Sequence, residues 1–186
     1  QIPDYPVTLF FSKQGYFKKI TPQSLRMSSE QKFKEGDELA QTVATDNAKE
    51  LLFFTNRCQV YKARVNDFKE TKASALGMDE GETAVYMVVT SDYSGHMLFF
   101  FENGKAAKVE LSAYQTKTNR KKLIKAYSDK SPVAAMLHIE SDVELVIISS
   151  AGRHLLINTG AISPKTTKDT QGVGVMSLKK GQKVMT

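Results

Sequence analysis

The residues with the plainest chemical potential in this chain are basic. Between Lys13 and Lys34 six bases stand against one acid, Glu30, and between Lys105 and Lys125 seven stand against Glu110. Lysine and arginine at that density displace condensed counterions from a polyanion, a term that carries affinity without reading base sequence. The candidate phosphate-binding set is Lys18, Lys19, Arg26, Lys32, Lys34, Lys62, Arg64, Lys105, Lys108, Lys117, Arg120, Lys121, Lys122, Lys125, Arg153, Lys165 and Lys168. A formal net charge of +6 has the sign that favours nucleic acid.

Other chemistries find little support. His96, His138 and His154 are the only histidines, and they show no metal-ligand spacing. Cys58 is the single cysteine, so neither a disulfide nor a cysteine-based zinc site can form within the chain, and a reducing, cytoplasmic setting is expected. Ser150–Arg153 lacks the G-x-S-x-G of a nucleophile elbow. Gly172-Val173-Gly174 lacks the third glycine of a dinucleotide fingerprint. Tyr93 falls in a turn, where a structural role outweighs a catalytic one. No metal or cofactor is expected in this chain.

The elements that position the bases repeat. Four segments share an apolar run, a short turn on one small residue and a second run: Leu9–Ile20, Leu52–Ala63, Leu98–Val109 and Val146–Ile157. Their turn residues, Gly15, Cys58, Gly104 and Gly152, are spaced by 43, 46 and 48 positions, near the ~40–50 of propeller blades. Each reads as a β-hairpin, with glycine supplying the positive φ of a tight turn and aromatic and β-branched residues filling the strands. Cys58 breaks the pattern and implies either another turn type or strain. Phe99-Phe100-Phe101 reads as a buried strand.

A further strand precedes three hairpins, at Ala40–Ala44, Ala84–Thr90 and Val133–Ile139, and is introduced by Glu35-Gly36-Asp37, Glu80-Gly81-Glu82 and Lys130-Ser131-Pro132, with Lys180-Gly181-Gln182 as a fourth instance. The unit is thus strand, turn, strand, turn, strand. The chain opens on a second strand, Val7–Ser12, and closes on a first strand, Lys183–Thr186, so the two ends are expected to complete each other and remove exposed edges. Polar connections hold a fourth strand in places, with Val173–Leu178 as one instance; Leu123–Tyr127 fits a strand or a helical turn. The connection from Lys62 to Gly81 spans 19 positions against 25 for Leu156 to Gly181, room for a stretch missing near Gly77. The expected fold is all-β: a single domain over 1–186, with repeat units at roughly 5–34, 35–79, 80–130 and 131–186, arranged as a closed or nearly closed propeller-like ring of about four four-stranded blades. Bases belong to hairpins and connections and acids to the ends of the first strands, so equivalent positions would form a basic belt and a separate acidic rim.

Composition agrees with a globular chain, with 41% hydrophobic and 25% charged residues. The longest apolar runs are too short to cross a bilayer as a helix, and no basic start precedes an apolar core as in a signal peptide. Opening on Gln1 rather than Met reads as the mark of a chain cut from a longer one.

A motif near the C-terminus, Thr170-Gln171-Gly172-Val173 followed by Leu178, Gly181 and Val184, resembles the repeat of the C-terminal domain of bacterial type IIA topoisomerase A subunits, those of DNA gyrase and topoisomerase IV. Thr8–Phe11 with Gln14-Gly15-Tyr16, and Leu51–Thr55 with Val60-Tyr61-Lys62, are similar to that family's strand-and-turn signature. The resemblance implies a β-pinwheel whose blades exchange strands and whose basic perimeter binds and bends duplex DNA, presenting a segment to the catalytic core. It further implies that this chain is not itself an enzyme, that the catalytic tyrosine and the magnesium site lie elsewhere in the enzyme, and that a B subunit hydrolyses ATP in an A2B2 assembly. Where gyrases carry the box Q-R-R-G-G-K-G, this chain has Ser28–Gly36, which keeps only Gln31, Lys32, Lys34 and Gly36 of its character. A topoisomerase IV-like role and a divergent gyrase both stay open. The rival functions are a propeller used as a protein-interaction scaffold, disfavoured by the clustered bases, and a propeller enzyme, which would need carboxylates or histidines converging on one channel.

Overall fold

A computed structural model of the protein describes residues 1–27, 33–69, 78–118 and 120–186. Among these, fourteen strands follow one another: β1 (Pro6–Ser12), β2 (Phe17–Ile20), β3 (Leu39–Asp46), β4 (Glu50–Thr55), β5 (Val60–Arg64), β6 (Ala84–Thr90), β7 (His96–Phe101), β8 (Lys105–Glu110), β9 (Lys122–Leu123), β10 (Val133–Ile139), β11 (Glu144–Ile148), β12 (His154–Asn158), β13 (Pro164–Lys165) and β14 (Val173–Gly174). One short helix, α1 (Pro22–Met27), follows β2, and 3-10 turns at Val65–Asp67, Leu111–Tyr114 and Thr159–Ala161 follow β5, β8 and β12. The chain forms two compact units, residues 1–92 with 120–123, and residues 93–119 with 124–186.

The four hairpins are the repeated segments of the sequence, and one local device builds the turns of three of them. Ser12 N–H donates to Tyr16 O, Thr55 N–H to Gln59 O and Ser149 N–H to Arg153 O, at 2.8–2.9 Å. In these three hairpins a buried hydroxyl just before the turn also accepts a turn N–H: Ser12 from Tyr16, Thr55 from Arg57 and Ser149 from Ala151. Gly15, Gly104 and Gly152 adopt φ near +80 to +90°, and Cys58 does so at +55°. The second hairpin therefore keeps the shared turn and accepts the strain of a left-handed cysteine.

The first unit holds two sheets. Sheet 1 has the order β2-β1-β3 and sheet 2 the order β6-β4-β5-β9. Their shared core contains Leu9, Phe11, Phe17, Leu51, Phe53 and Met87, with the Phe17 ring edge-on to Phe53 at 5.7 Å. The second unit holds sheet 3, β10-β7-β8-β13 with β14 also on β8, and sheet 4, β11-β12. Its core contains Leu98, Phe100, Ile139, Ile147, Met176 and Val184. Phe99, Phe100 and Phe101 are all buried, with Phe99 stacked on Tyr127 at 5.0 Å.

The strands do not pair in the order of the repeat. β3 pairs with β1, β6 with β4 and β10 with β7, all antiparallel, so each first strand joins the hairpin that precedes it. The C-terminal segment does the same: Val184 bridges Ser149, and Met185 N–H donates to Ile148 O at 2.8 Å. This replaces the expectation that the two ends complete each other: sheet 1 takes β3, and the last strand lies on β11. The outer strands are exchanged too. β9, from the connection after β8, pairs with β5, while β13 and β14, from the connection after β12, pair with β8. Of Leu123–Tyr127 only Leu123 is strand; Lys125 turns with φ +52°, and Ala126 O accepts the buried Tyr114 Oη at 2.7 Å, so a helical turn does not form. Residues 28–32 of the Ser28–Gly36 stretch, Lys32 among them, lie outside the described residues, as does Gly77.

Candidate nucleic-acid interface

Two of the seventeen candidate bases are structural. Lys19, on β2, is 2% exposed, and its ammonium donates to Asn47 Oδ1, Val65 O and Phe68 O with the Tyr5 ring 5.4 Å away. Lys108, on β8, is 5% exposed and donates to Asp142 Oδ1 at 2.7 Å and Thr159 O at 3.2 Å. Both stand four positions after their hairpin turn residue, and both reach the first carbonyl of the 3-10 turn after the next hairpin together with a polar residue before it. They bolt adjacent repeats within each unit and cannot meet a phosphate. The Lys108 ammonium holds the Asp142 carboxyl, also bound by Thr159 Oγ1, below its ordinary range. Lys62 shares that repeat position; it is half-buried, and desolvation pulls its ammonium down against the charge of Glu50.

The remaining described candidates lie on second hairpin strands, on the exchanged strands that join them, in one hairpin turn and on the connections. In sheet 1, Lys18 sits on β2 with the Phe33 ring 5.1 Å from its ammonium, Arg26 is exposed in the last turn of α1, and exposed Lys34 donates to Tyr16 Oη at 3.0 Å. That bond and the charge of the Tyr16 phenol hold the Lys34 ammonium above its ordinary pKa, and the Tyr16 ring lies 5.0 Å from it. In sheet 2, β5 and β9 bring Lys62 and Arg64 beside Arg120, Lys121 and Lys122. Tyr61 stands opposite Lys122, and Lys62 N–H donates to Lys121 O at 2.7 Å. Lys117 and Lys125 are exposed on the connections around the Leu111–Tyr114 turn and after β9, in the second unit. In sheet 3, exposed Lys105 and Lys165 lie on β8 and β13, with half-buried Lys168 on the connection to β14. Arg153, in the fourth hairpin turn, is exposed and donates to Ser177 O at 3.1 Å.

The acids do not form one rim. Glu35, Asp37, Glu38, Asp79, Glu80 and Glu82 precede first strands and so stand at the hairpin end of their sheets, where Asp37 accepts Gln14 N–H and Glu38 pairs with Lys13 at 2.6 Å. Asp46 stands at the opposite end, paired with Lys49 at 3.0 Å. Glu82 is buried and accepts Tyr61 Oη at 2.6 Å and Thr55 Oγ1 at 2.7 Å. Burial raises the Glu82 carboxyl, but these bonds and Asp79 N–H hold it below the ordinary range. Burial and Glu82 push the Tyr61 phenol up to about 12. Sequence reading missed this cluster, because its partners are 21 and 27 positions apart.

The Thr170–Val173 motif is a strap over sheet 3. Thr170 Oγ1 accepts Gly172 N–H at 3.1 Å, Gln171 Oε1 accepts Asn103 Nδ2–H at 2.9 Å, and Val173 pairs with Ala106. Gly172 has φ +72°, and a Cβ there would lie 1.9 Å from Ala106 O, so both conformation and approach demand glycine. Val175 and Met176 then donate to Gly104 O, and Leu178 packs at the same turn.

Hairpin sheets that exchange their outer and inner strands along a repeat of 43–48 residues define a propeller-type repeat protein. Residues 49–91 and 144–186 match the family described as "DNA gyrase C-terminal domain, beta-propeller". The chain is 25% identical over 96% of its length to the topoisomerase 4 A protein of Staphylococcus epidermidis, and 28% identical over 61% to that of Bacillus subtilis. It spans 24% and 16% of those two proteins. Its fold is that of a crystal structure of the C-terminal domain of DNA topoisomerase IV, with a TM-score of 0.82 and 22% identity over the whole chain and 61% of that structure, and of the E. coli ParC C-terminal domain, with 0.71 and 16% identity over 96% and 77%. In sequence over those two segments, and in fold over its whole length, the chain is similar to the C-terminal domains of gyrase and topoisomerase IV A subunits.

Proposed function

We propose that the chain binds and bends duplex DNA through the basic outer edges of its sheets, without catalysing chemistry itself. In this reading it presents a DNA segment to the catalytic core of a type IIA topoisomerase. Its partners are the remainder of the A subunit, to which it is joined, together with an ATPase B subunit, in an A2B2 enzyme of the cytoplasm. The ATP and Mg2+ that the enzyme uses are bound elsewhere. The observation that carries the reading is the location of the bases: apart from the two buried bolts, the described candidates lie on the second strand of a hairpin, on the strand that joins it from a later connection, in a hairpin turn or on the connections. Phosphate contacts on such edges would supply affinity and register without sequence specificity. Bending spreads those contacts over a longer duplex, which offsets an elastic cost of about 1–6 kcal/mol. The departure at Ser28–Gly36 supports a topoisomerase IV-like role over gyrase-type wrapping.

The test is binding of this chain to linear duplexes of about 40 and about 150 base pairs across a salt series, where each phosphate contact contributes about 0.9 to the log–log slope. Steep salt dependence with preference for the longer duplex is expected. Absence of binding at low salt would refute the reading in favour of a protein scaffold.

A further inference from the structure

The four sheets are not equivalent toward phosphate. In sheet 2 two basic segments, Val60–Arg64 and Arg120–Leu123, come together, paired over Val60–Lys62 and Lys121–Leu123. Arg64, Arg120, Lys121 and Lys122 are exposed there, and Lys62 is half-buried beside them. Three carboxylates temper the edge: Asp79 lies 3.7 Å from the Lys122 ammonium, Glu50 acts on Lys62, and Asp67 accepts Arg64 N–H at 2.9 Å. The Tyr61 ring, 5.8 Å from the Lys122 ammonium, steadies that side chain further.

Sheet 4 is the opposite case. Its outer strand reads His154-Leu155-Leu156-Ile157-Asn158, with no lysine or arginine. Leu156 holds the position that is Lys19, Lys62 and Lys108 in the other hairpins, and the outward Val146–Leu156 pair is 51% and 63% exposed.

We propose that the β5–β9 edge is the principal duplex contact of this chain and that the β11–β12 sheet makes no phosphate contact. This rests on the DNA-binding reading and deepens it by naming where the phosphates go. The site exists only because β9 is exchanged: its two halves are about 60 residues apart and are joined by Val60–Leu123 and Tyr61–Lys122 pairing. A duplex engaging Arg64 and Lys121 meets side chains held on paired backbone, with Arg120 next to them in the chain, which lowers the entropy lost on contact.

The experiment measures duplex affinity from about 50 to about 200 mM salt for the intact chain and for four variants. Arg120→Ala/Lys121→Ala removes two exposed cations from the edge. It is expected to lower the log–log slope by about 1.8, so that the affinity lost across that salt range shrinks about tenfold. Leu123→Asp keeps every cation but unseats the buried anchor of β9, and should lower the slope in the same direction. Lys165→Ala/Lys168→Ala, on sheet 3, should lower it by less, and Lys183→Ala, on the exposed segment that lies on β11 and outside the candidate set, should leave it unchanged. Thermal melts establish that the alanine variants fold. If the intact chain does not bind DNA, the function proposed above fails. If it binds and Arg120→Ala/Lys121→Ala leaves the slope unchanged, or Lys183→Ala lowers it as much, the β5–β9 assignment alone is overturned.

Discussion

Replacing Lys19 by methionine should lower stability and leave DNA binding intact. The ammonium of Lys19 carries three protons, and three oxygens receive them: Asn47 Oδ1, Val65 O and Phe68 O. Asn47 is itself fully buried and donates to Pro3 O at 2.7 Å and Asn66 Oδ1 at 3.0 Å, so it depends on the same knot. Methionine fills the stem but supplies no donor. A buried acceptor left without a partner costs about 1–3 kcal/mol, and relief from holding a charge out of water offsets part of the total. A net loss of about 3 kcal/mol follows, which lowers the melting midpoint of a chain of this size by about 6–12 °C. Thermal melting followed by circular dichroism reads the first effect, and the salt dependence of duplex affinity reads the second, expected to be unchanged. A variant with an unchanged midpoint and a slope reduced by about 0.9 would refute the bolt and return Lys19 to the phosphate-binding set.

Three further expectations concern the fold. Cys58→Gly relieves the left-handed strain of the second hairpin turn and should stabilise the chain by about 1 kcal/mol, read from the denaturant midpoint. Gly172→Ala places a methyl 1.9 Å from Ala106 O and should lift β14 from β8, costing on the order of 2–4 kcal/mol and opening residues 163–178 to limited proteolysis. The Tyr61–Glu82 pair should shape stability at both ends of the pH scale. Glu82, held below its ordinary pKa, contributes stability that is complete above the carboxylate range and lost as pH falls through its folded value. Tyr61, raised to about 12, contributes stability complete below its ordinary phenol range and lost as pH rises toward 12. Glu82→Gln should flatten the acid arm of melting midpoint against pH, and Tyr61→Phe the alkaline arm.

The hairpins were legible because their signals are local: an apolar run, a turn residue of positive φ and a second run recur at nearly constant spacing. What local signals cannot encode is which hairpin a neighbouring strand joins. Ala84–Thr90 reads as a strand in either assignment, and only packing on β4 places it with the preceding turn. The same limit applies to the site. Lys18 and Lys19 are adjacent and of one type, yet the alternation of the strand sends one toward solvent and the other into the Asn47 knot. Arg64 and Arg120 belong to one edge, but nothing in either segment names the other. The Thr170–Val173 motif was informative for the converse reason. Its glycine answers a single steric demand at Ala106, which makes it recognisable in sequence even though its partner strand is not.

Strand exchange also imposes an order on synthesis. β5 leaves the ribosome well before its outer partner, because β9 follows Arg64 by about 60 residues, several seconds at about 5–20 residues per second. Until then the edge of sheet 2 is open and can template on any extended segment nearby. Sheet 3 waits in the same way for β14. The nascent chain is therefore always one repeat short of a finished sheet, and a ribosome pause placed between repeats would lengthen the interval in which that edge can capture the wrong strand.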